Sequence, residues 1–237
     1  MRRTLVKKIL LFLLYLLLSF ALLWISRTLV TFIHLIFSVI GMFLVLFFPY
    51  SLRNKVESLL LPLLFLVIPL ANVPAIIGYT LSGELAISTL LPFAQLFTFG
   101  HLFFLVVSLF LSLFHFGINT SRIPLYTVVA FILVAFLALL IPTTPATAPH
   151  NPALWIKGPL FFYITLILAV LAIISFVVLF FRELTLNSLL SYLSLSLIVA
   201  GNYLCFVAYG RSGALVGLAL YGLGVVLRLP RGRFSQL

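Results

Sequence analysis

The chain contains no aspartate, and its only acids are Glu57, Glu84 and Glu183. Charged residues make up 7% of its 237 positions, against about 25% in ordinary soluble domains. A soluble domain of this length needs a charged surface, and these residues cannot supply one. The shortage of acids also removes paired-carboxylate and carboxylate-metal chemistry. A single cysteine, Cys205, excludes an intramolecular disulfide and a cysteine-based zinc site; it reads as a small packing residue. No phosphate-binding loop or catalytic triad is visible along the chain.

What is present is apolar. Hydrophobic residues make up 65% of the sequence, and nearly every run long enough to be a helix is apolar enough to cross a bilayer. A membrane-spanning helix needs roughly 20 such residues. The runs predict helices at 9–26, 29–49, 58–79, 90–115, 123–141, 159–181, 188–209 and 212–229. The stretch from Ile9 to Tyr50 is the one ambiguity. As a single helix it would be about 60 Å long, twice the hydrocarbon thickness, so a tight hairpin at Ser26-Arg27-Thr28 is expected. The fold class is therefore all-α: a polytopic transmembrane helical bundle of about eight helices, forming a single integral membrane domain over 1–237.

The net charge of +11 would suggest nucleic acid in a soluble protein. Here the cations sit in short gaps between apolar runs, where they fix orientation. With eight helices, one side of the membrane carries Arg2, Arg3, Lys7, Lys8, Arg53, Lys55, Arg122, Arg182, Arg228, Arg231 and Arg233. The other carries Arg27, Lys157 and Arg211. This bias puts the N- and C-termini in the cytoplasm. Fusing the first two segments into one helix would move the basic N-terminus outside, a poorer fit. The N-terminal basic and apolar pattern resembles a signal peptide, but the apolar run continues past the candidate cleavage site at Ser19-Phe20-Ala21, so an uncleaved first helix is expected. Pro142, Pro145, Pro149 and Pro152 mark 142–158 as an extended outer loop.

Polar residues inside apolar helices are the candidates for function. In the third helix Pro62, Pro69 and Pro74 interrupt the backbone around Asn72. In the fourth, His101, Ser108, Ser112 and His115 lie within about 60° of one another at 100° per residue, with Thr98 a little further round. They should face the bundle rather than lipid. Glu84 is the one acid on the outer side. Asn72, Glu84, Gln95 and His101 could converge at the outer mouth of a cavity between the third and fourth helices. Glu57 and Glu183 lie near arginines on the inner side and read as locally paired or solvated. Two haems would need matched histidines on a second helix, and the only other membrane histidine is His34. No cofactor is expected.

Gly210-Arg211-Ser212-Gly213 reads as a tight turn between the last two helices, since no histidine follows Ser212 to act as its base. Gly213, Gly217 and Gly224 are spaced for close helix packing, and Asn202 could hydrogen-bond across that contact. An internal hairpin seam is the simpler arrangement.

These features favour a non-enzymatic, permease-like small-molecule transport subunit in the cell membrane, multi-pass and of the bacterial cytoplasmic type. Without a nucleotide site it would depend on a membrane protein partner for energy. Rival readings are a sensory or assembly subunit of a membrane complex, and a lipid-acting enzyme using His101 or His150 as base with Glu84. The basic termini, Met1–Lys8 and Arg228–Leu237, are expected to meet anionic lipid headgroups. Nucleic acid is not expected as a partner.

Overall fold

The computed structural model describes residues 2–25, 35–41, 43, 60–67, 87–117, 122–141, 159–206 and 211–228. Among these there are eight helical stretches and no strand. We label them α1 (Arg2–Ile25), α2 (35–41), α3 (60–67), α4 (Ile87–His115), α5 (Ile123–Leu140), α6 (Pro159–Glu183), α7 (Leu186–Phe206) and α8 (Arg211–Arg228). Three contain stretches long and apolar enough to cross a membrane: Gln95–His115, Pro159–Glu183 and Ser188–Cys205. Pro124–Leu140 and Gly213–Arg228 are shorter apolar helices. The chain is thus an all-helical protein with the character of a membrane protein.

α1 begins at Arg2, ahead of the apolar run at 9. Hydropathy marks where a helix enters lipid, whereas Arg, Leu and Lys in the preceding turns are good helix formers that carry it further back. The rings of Tyr15 on α1 and Phe37 on α2 lie 4.1 Å apart. Twenty-two residues of continuous helix would separate them by about 33 Å, so α1 and α2 are not one continuous helix and meet side by side at this contact. The hairpin residues Ser26, Arg27 and Thr28 themselves, and the prolines at 69 and 74, lie outside the described residues.

Local chemistry sets the other ends. Pro124 occupies the first turn of α5, and Pro159 opens α6; proline is pre-organised there and the missing N–H costs nothing. α4 ends at Gly117, whose φ of 99° lets its N–H turn back to the Phe114 carbonyl at 3.1 Å, a cap that glycine adopts without strain. α6 ends differently. Leu184 takes the left-handed conformation with φ 44°, its N–H reaching the Phe180 carbonyl at 3.0 Å. A leucine there costs about 1 kcal/mol. Thr185 then caps α7, its hydroxyl accepting the Ser188 N–H at 3.1 Å.

The most extensive packing is between α7 and α8, followed by α6 on α7, α4 on α6, α4 on α5 and α1 on α8. α6 buries one stripe, Phe161, Thr165, Ala169, Ala172, Phe176 and Leu179, at the three-to-four residue spacing of a single helix face. Its other faces expose Ile167, Val170, Leu171, Ile174, Val177 and Val178. In water this would be an aggregation surface; facing acyl chains it costs nothing.

Candidate functional site

The α7–α8 hairpin forms the tightest part of the bundle. A Cβ added at Gly217 would lie 2.5 Å from the Cys205 backbone nitrogen and 2.8 Å from the Gly201 carbonyl oxygen; one at Gly201 would strike the backbone of Tyr221. The two glycines thus face each other and let the helix backbones meet. Gly224 is held the same way against Ile198 and the Ser194 carbonyl. The Ser194 hydroxyl donates to the Gly224 carbonyl at 2.8 Å, and the Cys205 thiol approaches the Ala214 carbonyl at 3.7 Å. Gly217 and Gly224 are therefore seam residues, while Gly213 is half-buried near the start of α8. Ser194 supplies a side-chain hydrogen bond across the seam. Arg228 departs from expectation. Instead of reaching outward, its guanidinium turns in and donates to the Ser191 hydroxyl at 2.6 Å, because the small Ser191 leaves both a partner and room beside it.

At the same end of the bundle, Glu183 accepts hydrogen bonds from Tyr192 at 2.9 Å on Oε1 and from Ser188 at 2.6 Å on Oε2. Both carboxylate oxygens are engaged in joining the end of α6 to the start of α7, a role beyond the local pairing expected of it. Hydrogen bonds to a charged acceptor contribute about 1.5–3 kcal/mol. Tyr192 in turn stacks on Phe176 and meets the His115 ring edge-on at 5.5 Å. His115 Nδ1–H donates to the Leu111 carbonyl at 2.6 Å.

The polar line of α4 does face inward: Thr98, His101, Ser108 and Ser112 are all buried. Two of its hydroxyls are absorbed by the helix itself, Ser108 donating to the Phe104 carbonyl at 2.8 Å and Ser112 to that of Leu109 at 2.7 Å. His101 packs its ring 4.2 Å from Phe97. Of the candidate cavity residues, Gln95 is half-buried and His101 buried; Asn72 and Glu84 lie outside the described residues.

A second set of polar groups gathers deeper in the bundle, where α1, α2, α7 and α8 meet. The hydroxyls of Ser38 and Tyr221 share a hydrogen bond of 2.6 Å. A Cβ on Gly222 would run into the Tyr15 ring, which places α1 against α8 at this level. Tyr15 lies within electrostatic reach of Cys205 and Tyr221. Its hydroxyl comes close to that of Ser19, one turn away, without reaching hydrogen-bond geometry. Asn202 is 2% exposed, and its side-chain oxygen finds no hydrogen-bond partner among the described residues. On α7, Gly201 faces α8 and Tyr203 faces Phe162 of α6. Asn202 lies between those directions, toward the bundle interior. The buried Tyr203 hydroxyl likewise has no partner among the described residues.

Depth along the helices brings these groups to one layer. Counting at 1.5 Å per residue from the His115–Tyr192 contact, His101 stands about 21 Å along α4 and Tyr203 about 17 Å along α7. Gly201 meets Tyr221 directly. Tyr15 and Tyr221 escape a search for polar residues because tyrosine in an apolar run looks like any lipid-facing aromatic. The available signal was the hydroxyl, which needs a partner when buried.

Among the described residues no group of three or more His, Cys, Asp or Glu side chains comes together to hold a metal ion. The chain matches no protein-family model, no curated protein and no solved structure.

Proposed function

We propose that this chain is a permease-like subunit that takes a small molecule through a multi-pass bundle in a cytoplasmic-type cell membrane. In this reading all eight helical stretches belong to one membrane domain, with both termini in the cytoplasm. The positive-inside distribution and the side-by-side packing of α1 and α2 support that threading. A protein partner supplies the energy. The basic termini, Met1–Lys8 and Arg228–Leu237, meet anionic lipid headgroups in this reading, apart from Arg228, which is taken up by Ser191.

The reading is carried by one observation, the buried Asn202 oxygen with no partner among the described residues, set level with the Tyr15 and Ser19 hydroxyls. An unsatisfied polar atom inside a bundle in lipid costs several kcal/mol. Proteins retain such atoms where water or a ligand meets them. The glycine face that an assembly subunit would offer to a partner is already filled by the α7–α8 contact.

The sole cysteine is a native reporter of this layer. A membrane-impermeant methanethiosulfonate carrying an uncharged polyol should modify Cys205 in the folded protein, in right-side-out and in inverted vesicles alike. Modification from neither face, with full reaction after unfolding, would show a dry layer and end the permease reading.

A further inference from the structure

We infer that the layer around Asn202 receives an uncharged solute bearing both hydrogen-bond donors and acceptors, of the polyol or simple amide class. The inference rests on the permease reading and adds the chemistry of the ligand.

The groups offered are all neutral dipoles. The Asn202 oxygen requires a donor, and it is 2% exposed. The Tyr15 and Ser19 hydroxyls, near each other but outside hydrogen-bond geometry, can each donate or accept. Ser38 and Tyr221 close one side of the layer with their own bond of 2.6 Å, and the Tyr15–Phe37 ring contact at 4.1 Å supplies an apolar wall. A solute with adjacent hydroxyl or amide groups matches this set, since each of its polar groups presents a donor beside an acceptor.

An ion does not match it. A charge held in the membrane interior requires an opposite charge or a dense shell of oriented dipoles. Along α1 and α8 the nearest charged side chains, Lys8 and Arg228, each stand seven residues from Tyr15 and Tyr221, about 10 Å along the helix. Arg228 is moreover engaged with Ser191. Along the described residues of α1 and α8 a carboxylate or phosphate would therefore meet no permanent counter-charge at this depth, and an ammonium group no acid; the imidazole of His101 on α4 stands near the same level.

The test is a thermal-shift panel on the full chain in mild detergent. Glycerol, erythritol, ribitol, urea and acetamide are set against lactate, glycerol 3-phosphate and choline. At ten times its dissociation constant, a bound neutral probe should raise the melting temperature by about 3–6 °C. Asn202→Leu should abolish that rise, and Tyr15→Phe and Ser19→Ala, which delete single hydroxyls, should reduce it. The two hydroxyl deletions keep the test alive if Asn202→Leu fails to fold. A rise given only by charged probes overturns the neutral class and leaves the permease reading in place. So does the absence of any rise in a protein whose Cys205 is readily modified from the vesicle exterior. No rise together with an unreactive Cys205 removes both.

Discussion

α5 and the α7–α8 hairpin solve opposite problems. α5 buries only a narrow stripe, Ala130, Val134 and Ala138, ending at Ile141, and turns Leu125, Val128, Val129, Ile132, Leu133, Phe136, Leu139 and Leu140 outward. α7 and α8 hide serines, glycines, an asparagine and an arginine between them. α5 turns its large apolar side chains outward, whereas the α7–α8 seam brings small and polar residues together; the centre of the bundle still buries large apolar groups such as Phe104, Phe176, Leu102 and Leu111. Lipid is as apolar as leucine, so burying leucine gains little; close backbone approach and hydrogen bonds supply the cohesion. At the α7–α8 seam side-chain size and polarity, more than hydrophobicity, decide which residues meet.

The hardest test of that contrast is Gly217→Val. The added carbons meet the Cys205 nitrogen and the Gly201 carbonyl, both main-chain atoms that no rotamer change can move. The helices must separate, breaking the Ser194–Gly224 bond with them. A loss of about 3 kcal/mol is expected, the upper part of the range for overpacking, read as a fall in melting temperature in detergent. Ala138→Leu on the α5 stripe should cost less, about 1–2 kcal/mol, because among the described residues α5 packs mainly on α4 and can tilt away into lipid. Equal losses at the two sites would erase the distinction between seam and rim.

Leu184 sharpens the contrast from another side. It is 71% exposed, but its place is set by backbone geometry and not by lipid. Replacing it with glycine relieves the left-handed strain at φ 44° and removes almost no packing, so Leu184→Gly should stabilise by up to about 1 kcal/mol. Gly117, the second residue after α4 and also left-handed with φ 99°, is the control: Gly117→Ala should destabilise. A destabilised Leu184→Gly variant would mean that the exposed leucine is held by lipid contact after all.

How much of this was readable beforehand follows from the range of the interactions. The all-helical class and the inward turn of the α4 polar line are local properties, set by composition and by the 100° step between residues, and the sequence carried both. Gly217 and Gly224 were legible as a spacing. The partner they meet was not, since Gly201 and Cys205 join them only through the register of the hairpin. The Ser38–Tyr221 bond spans 183 positions, and no periodicity reports a contact at that distance. Arg228 and Glu183 were read from their neighbours in sequence. Their bonds to Ser191 and Tyr192 depend on which faces of α7 meet α8 and α6.

The smallest expected effect is the most specific. Ile132 on α5 is 61% exposed, so in water it would be a defect and trimming it would help. In a soluble core the same Ile→Val change costs about 0.5–1.5 kcal/mol, because the removed methyl leaves a cavity. Facing acyl chains, Ile132→Val leaves no cavity and exposes nothing to water; lipid closes over the gap. The change should lie within about 0.5 kcal/mol of zero, read by unfolding in bilayer mimetics. Val134→Ala, two residues on and buried against α4, should cost more than this despite deleting only small groups, since lipid cannot follow into the stripe. A larger loss at Ile132 than at Val134 would place the outer face of α5 against protein, and the division between lipid-facing and packed surfaces would have to be redrawn around it.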